Sequence, residues 1–342
     1  MAKKLPPNVA ESDLSRDLND LRAVRKHQGK ARDTYEVEGH SELIMPVTTD
    51  RFSAFDFVLK ATAPGKGKNL VKMSVFWMRK ILPEFPNHLV AAGSEIDAYL
   101  PPKMRAWPEL QQQALIVRRL DMILGECIVR GYLTGSGWKS YQKDGTVCGS
   151  KLPEGLHDGS KLPEPIFTPS TKSEDGHDVN ISFEEFAKLV GQDTAEEVRD
   201  VSLRLYKKAA AYAESRGIII ADTKFEFGRD PVTGELVLGD EVLTSDSSRF
   251  WLKSDWVVAA AKQKSPVGFD KQPTRDYLAK VVTPFFDKND VQIVGLGNLD
   301  PMVREHVAFA HLIPIPQQQV DDMIVRYDKA YELITAELPA AA

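Results

Sequence analysis

Apolar and polar positions along the chain change their spacing several times, and each change marks an element. Residues 31–59 alternate, which predicts a strand, a turn at Glu38-Gly39-His40, a second strand and then a polar loop over 48–56. The polar stretch before them, residues 1–27, carries only a weak helical pattern at Leu14, Leu18 and Leu21. Asn69 to Leu82 follow helical spacing and stop at Pro83, whose ring cannot continue a helix. Residues 114–133 read as two short strands joined around Asp121–Gly125, so the first third is predicted to be antiparallel and rich in hairpins.

Between 142 and 180 the pattern dissolves into Gly, Pro, Asp and Ser, and the hexapeptide GSKLPE occurs at 149–154 and again at 159–164. The duplication is too brief for a solenoid unit. Long stretches without elements are uncommon in compact domains and are usually functional or disordered. Lys172, His177 and Asp178 beside fixed-φ prolines make the functional reading the better one here. Two S/T-x-x-E boxes, Ser182 with Glu185 and Thr194 with Glu197, then predict helix starts. The second helix carries Val198, Val201, Leu205, Ala209 and Tyr212 on one stripe and ends at Gly217. Ile218 opens a strand, GRDPVTGE turns the chain, and 218–227 with 235–243 form a hairpin. A helix over 318–337 follows. Strands first, then mixed helices and strands, predict an α+β protein of two lobes, 1–118 and 119–342, with a cleft between them.

Composition narrows the class. A chain of 342 residues exceeds one typical domain, and 42% apolar with 27% charged residues is ordinary for a globular protein. A net charge of −5 argues against a general nucleic-acid surface, and leaves room for a local basic pocket holding a small anion. Cys127 and Cys148 have no metal-ligand spacing and read as reduced thiols of a cytosolic protein. The opening MAKKLPPNVAESD precedes no apolar core, so no signal peptide is expected, and no run reaches the roughly 20 apolar residues of a membrane span.

The hairpin raises the chemical question. In IIIADTKFEFG, Ile218–Gly228, Asp222, Lys224 and Glu226 share one face while Thr223, Phe225 and Phe227 share the other. The returning strand brings Asp240 near Glu226 or Lys224. Two carboxylates on adjacent strands suit a hard divalent cation such as Mg²⁺ holding phosphate oxygens, and the lysine suits phosphate itself. A structural ion-pair ladder would use the same residues. In GKARDTYEV a glycine turn precedes Lys30 and Arg32 on one face, a clamp for phosphate oxygens or a solvated strand edge. It lacks the ending of a P-loop. RGYLTGSGWKS sets Arg130 before Thr134–Gly137, and TSDSSRFW sets Ser247 and Ser248 beside Arg249. Together these suggest a phosphate-ester site. TTDRFSAFD packs Asp50, Arg51, Ser53 and Asp56 into one segment, either a self-bonded turn or a loop lining the cleft. GLGNLD at 295–300 lacks the flanking elements of a dinucleotide fingerprint and reads as a turn.

GKARDTYEV, TTDRFSAFD, VRGYLTGSGWKSY, PIFTPSTKSEDGHD, GIIIADTKFEFG and DEVLTSDSSRFW occur in this order, and together they closely resemble the SAICAR synthetase family of de novo purine biosynthesis. The resemblance covers about residues 25 to 280 and is to the longer form of the family. It implies that ATP, L-aspartate and the carboxylate of carboxyaminoimidazole ribonucleotide (CAIR) give SAICAR, ADP and phosphate, by way of an acyl phosphate. It further implies a β-rich lobe covering the nucleotide and a second lobe with the metal and substrate sites. Lys30 and Arg32 would meet the ATP phosphates, and the connection Asp121, Met122 to Glu126 would offer backbone groups to adenine. Glu226 and Asp240 would ligate Mg²⁺, with Asp222 and Lys224 facing CAIR. Arg130, Ser136 and Arg249, with Arg275 near them, would hold the CAIR 5′-phosphate. Lys172, His177 and Asp178 are the candidates for L-aspartate, with Asp50 and Ser53 lining the cleft. Gly239 stands where some members carry a branched residue, which disturbs no role. Residues 253–268 and 281–316 match nothing and receive no function. The family also implies a cytoplasmic monomer or small homo-oligomer.

Two other classes make contrary demands. A protein-kinase-like or inositol-phosphate-kinase-like phosphotransferase would carry H-R-D and D-F-G segments, and neither occurs. A catalytically dead nucleotide scaffold would lack one of the charged residues at 222, 224, 226 or 240, and all are present.

Overall fold

A computed structural model describes residues 12–171, 179–269 and 271–337. The first strands are Arg25–Gln28 (β1), Arg32–Glu36 (β2) and Leu43–Thr48 (β3), followed by a hairpin of Arg51–Ala54 (β4) and Phe57–Thr62 (β5). Leu89–Ala92 (β6) and Leu115–Arg118 (β7) complete an antiparallel sheet of order β1-β2-β3-β7-β6. The expected helix spans Lys66–Phe76, continues through Ile81 with a wider turn, and ends before Pro83. Residues 48–56 are not the expected polar loop. Arg51–Ala54 is a strand buried along its whole length, because Arg51 is neutralised from inside by Asp33. A paired guanidinium can be buried where an alternation pattern registers only a polar residue.

The second sheet is built on one long strand. Asp121–Met122 (β8), Cys127–Tyr132 (β9), the small hairpin Thr146–Val147 (β10) and Ser150–Lys151 (β11), and Lys161–Phe167 (β12) precede Ile218–Arg229 (β13). Leu236–Gly239 (β14) and Ser248–Leu252 (β15) follow, and the sheet runs β12-β9-β13-β14, with β8 and β15 also paired to β13. Within the stretch 142–180, residues 142–171 are thus less irregular than their composition suggests, since β12 forms the sheet's outer strand beside β9. The capping box at Ser182 is present, with Ser182 Oγ accepting from Glu185 N–H. The box at Thr194 is not a helix start, because the helix Gln192–Glu214 begins two residues earlier behind Gly191.

A bulge in β13 decides which side chains reach the core. Ile220 pairs with Phe250, but Asp222 pairs with the adjacent Arg249, so one extra residue shifts the alternation. Ile218 and Ile220 point into the main core before the bulge, and Phe225 and Phe227 do so after it. Asp222, Lys224 and Glu226 are thereby turned to the opposite face. The core contains Trp77, Phe186 and Leu205, and a second cluster packs Phe52, Phe57 and Leu70 against Leu296, Met323 and Tyr327. The remaining strands, Val282–Phe286 (β16) and Gln292–Val294 (β17), form a separate hairpin, and Gln317–Thr335 is the last helix. GLGNLD contains one short helical turn, Leu296–Asn298.

The two sheets meet at Pro86–His88. Leu238 N–H donates to Pro86 O at 2.9 Å, and His88 N–H donates to Leu238 O at 3.0 Å. Burial, reinforced by Arg32 and Arg118, pushes the His88 imidazole down from 6.5 to about 3. The unfolded chain takes up a proton that the folded chain refuses, so stability falls as pH drops through that window. The loss from this one group is about 1.4 kcal/mol per pH unit. His88→Gln is expected to flatten the decline in melting temperature between about pH 6.5 and 4.5. Parallel curves for the two proteins would remove His88 as its source.

Candidate active site

On the charged face of β13, Asp222 lies opposite Arg130 of β9 and Arg249 of β15. One Asp222 oxygen accepts from both, at 2.6 Å from Arg130 Nη1 and 2.7 Å from Arg249 Nη1. Arg130 also donates through Nη2 to Ser136 Oγ and through Nε to Thr168 Oγ1, both at 3.0 Å. The TGSG segment can close over these guanidinium groups because Gly135 and Gly137 have no side chains. A Cβ on Gly135 would lie 2.9 Å from Arg249 Nη2, and one on Gly137 would lie 3.2 Å from Arg130 Cδ. Burial lowers the Arg130 pKa, with Arg249 acting in the same direction and Asp222 against it. Two arginines share one carboxylate, an arrangement with capacity for a further anion. The neighbouring hydroxyls serve structure instead, for Ser248 Oγ bonds Thr223 Oγ1 at 2.8 Å and Ser247 Oγ bonds Thr244 at 3.1 Å.

One step along β13, Lys224 Nζ donates to Glu126 Oε1 at 2.7 Å and to Glu226 Oε1 at 3.0 Å. Burial alone would lower the Lys224 pKa, but Glu226, Glu126 and Asp240 hold it well above the ordinary lysine value. Glu226 pairs with Gly239 of β14, and Asp240 follows with φ 54°, a backbone state uncommon outside glycine. Arg32 Nη2 meets Asp240 Oδ1 at 2.5 Å and Glu241 Oε1 at 3.7 Å. Burial pushes Asp240 up to about 6, with Glu226 and Glu241 adding to it and Arg32 opposing.

Glu126 departs from its expected use. Its backbone N–H donates to Ser170 O at 3.0 Å, so that donor is engaged away from adenine, and its carbonyl accepts from Ser170 N–H at 3.1 Å. Its carboxylate joins the acid–lysine group. Among the described residues no group of three or more His, Cys, Asp or Glu is arranged to hold a metal ion. Glu226 and Asp240 nevertheless fit Mg²⁺, a hard cation usually held by one or two carboxylates together with waters and substrate phosphates.

Lys30, on the turn before β2, forms an ion pair with Asp56. Asp121 and Met122 lie exposed on β8, paired with Arg229 and Gly228. Asp50 accepts from Gly65 N–H at 3.0 Å and Gly67 N–H at 2.8 Å, holding the start of the helix Lys66–Phe76. Ser53 is buried on β4. Lys172, His177 and Asp178 lie outside the described residues. Arg275 is placed beside Lys271, which burial, Arg275 and Lys66 push down to about 8 against Asp246. Asp246 accepts from Lys66 Nζ and from Tyr327 Oη, both at 2.6 Å. Sequence reasoning passed over Lys66, Asp246 and Lys271, whereas Glu241 was expected to arrive with Asp240 on the returning strand and does so. Asp246 stood inside TSDSS, with no spacing signal separating it from an ordinary turn.

An α+β fold with two arginines at one level of a strand and a lysine among carboxylates at the next suits a protein that handles phosphorylated anions. The family model for SAICAR synthetase matches residues 25–290, and the chain belongs to that family. It is 48% identical over 269 residues to the phosphoribosylaminoimidazole-succinocarboxamide synthase of Thermodesulfovibrio yellowstonii, covering 78% of this chain and 87% of that protein. The Desulfotalea psychrophila protein of the same name is 41% identical over 330 residues, covering 96% and 100% of the two chains. The solved SAICAR synthase of Saccharomyces cerevisiae, complexed with SAICAR, superposes with a TM-score of 0.75 at 37% identity, covering 98% of this chain and 100% of that one.

Proposed function

We propose that this chain is the ATP-dependent ligase that joins L-aspartate to the carboxylate of CAIR, 5-amino-1-(5-phosphoribosyl)imidazole-4-carboxylate. The products are SAICAR, ADP and phosphate, and the step belongs to de novo purine synthesis. Within the site, the observation that carries the reading is the adjacency of two unlike stations on β13. Asp222 with Arg130 and Arg249 is built for a phosphate ester, and Lys224 with Glu126 and Glu226 stands one step away. A substrate bearing a phosphate at one end and a carboxylate at the other spans both.

In this reading Arg130, Ser136 and Arg249 take the 5′-phosphate and Lys224 orients the carboxylate. A carboxylate oxygen attacks the γ-phosphorus of ATP and ADP leaves. The amine of L-aspartate then attacks the acyl carbon, phosphate departs with the C–O bonding pair, and the amine loses its proton. Lys30 and Arg32 neutralise the nucleotide phosphates, releasing Asp56 and Asp240 from their present ion pairs. Glu226 and Asp240 hold Mg²⁺, which supplies charge neutralisation at the phosphates. Asp121 and Met122 border the adenine, and the lobes 1–118 and 119–342 close on the nucleotide. Lys172, His177 and Asp178 remain the proposed aspartate contacts, and Arg275 a further proposed contact near the CAIR 5′-phosphate. No described helix is long and apolar enough to cross a membrane.

Purified protein given ATP, Mg²⁺, CAIR and L-aspartate is expected to form SAICAR, ADP and phosphate in equal amounts. Product absorbance and phosphate release measure this directly. ATP binding without SAICAR formation at saturating substrates would overturn the reading.

A further inference from the structure

The turn that carries Lys30 and Arg32 is held from behind by residues that touch no proposed ligand. Gly29 N–H donates to Arg32 O at 2.6 Å, closing the turn, and a Cβ on Gly29 would lie 2.7 Å from that oxygen. The other ties come from Thr49, between β3 and β4, and from Arg51, the first residue of β4. Arg51 Nη2 donates to Gly29 O at 2.9 Å. Thr49 donates twice to Ala31 O, from N–H at 2.8 Å and from Oγ1 at 2.9 Å. Arg51 is itself fixed by a forked ion pair to Asp33, which is fully buried and accepts from Ser15 Oγ at 2.7 Å.

We propose that Arg51 and Thr49 are positioning residues that shape the Gly29–Ala31 turn for nucleotide phosphates. This rests on the reading of Lys30 and Arg32 given above. A flexible glycine turn can rotate its carbonyl oxygens toward an anion and repel it. Here the Gly29 and Ala31 oxygens are each engaged by a donor from the core side, and neither can swing outward. The turn is therefore set before ligand arrives, and the ordering cost at binding is reduced. Arginine suits the task because its planar fork serves Asp33 and Gly29 together. A lysine ammonium could answer Asp33 but not reproduce that geometry. An ion pair serving stability alone would need only Asp33. It would not need the second bond to Gly29, nor the doubled donation on Ala31.

Thr49→Val removes, at nearly constant volume, the hydroxyl that donates to Ala31 O and accepts from Arg51 N–H at 3.3 Å, and Thr49→Ser restores it. Calorimetric titration well below the melting temperature should show ADP binding to Thr49→Val weakened about three- to tenfold, the range for the lost bond to Ala31 O. Thr49→Ser should return it to the wild-type value. Arg51→Lys should weaken ADP binding about tenfold or more. CAIR affinity should stay within about twofold in all three, since the arginine fork for its phosphate is on another sheet. Unchanged ADP affinity in both Thr49→Val and Arg51→Lys would overturn the proposal, as would equal weakening of ADP and CAIR. If Arg51→Lys does not fold, the valine and serine variants decide alone. Lys30→Ala and Arg32→Ala separate the two levels. If they bind ADP as the wild type does, the nucleotide reading of the turn fails, whatever Thr49 does.

Discussion

Glu226→Gln is expected to remove nearly all turnover while leaving the protein folded. The substitution keeps volume and one oxygen, but takes away a negative charge that the proposed mechanism sets beside the reacting phosphates. Comparable losses of an electrostatic or metal-holding group cost about 10²- to 10³-fold in kcat. Folding should survive because Lys224 retains its 2.7 Å bond to Glu126, so the buried ammonium is not left alone. Metal holding adds a second expectation, a higher Mg²⁺ concentration for half-maximal rate. The measurements are kcat against Mg²⁺ concentration and a thermal melt of the same preparation. Near-normal rates at low Mg²⁺ would take Glu226 out of the reacting centre.

Much of the fold was legible because hydrophobic period is a local property. The helix before Pro83, the stripe on Val198, Leu205 and Ala209, and the hairpin around GRDPVTGE follow from spacing alone. Legibility failed where a distant partner decides the outcome. Arg51–Ala54 reads as loop because nothing local announces that Asp33, 18 residues earlier, will neutralise Arg51. The same limit hid the role of Glu126, whose carboxylate meets Lys224 only once β9 lies beside β13. The charged face of β13 was read correctly as a set, since alternation holds from Asp222 to Phe227. The bulge before Asp222 could not be read. Without it, a regular alternation would turn Ile218 and Ile220 to the same face as the charges.

Asp222→Asn is expected to injure the free enzyme severely, in a way that an anion repairs. In the native protein one Asp222 oxygen accepts from Arg130 and Arg249, and Arg130 is only 3% exposed. A neutral amide leaves the buried Arg130 and the partly exposed Arg249 without the negative charge between them. Breaking a fully buried ion pair costs about 3–5 kcal/mol, and solvent at Arg249 and Asp222 reduces that figure here. A phosphate ester would then take the place of the missing charge. CAIR, or inorganic phosphate at millimolar concentration, should therefore raise the melting temperature of Asp222→Asn more than that of the wild type. Turnover should stay low even in the stabilised variant, because the anion that rescues the fold no longer sits against a carboxylate that sets the height of both arginines. Ligand-dependent melting curves for the two proteins measure the difference. If phosphate stabilises both alike, Arg130 and Arg249 do not form the phosphate site, and the 5′-phosphate must be sought elsewhere, the Lys66, Lys271 and Arg275 group being one cationic cluster to try.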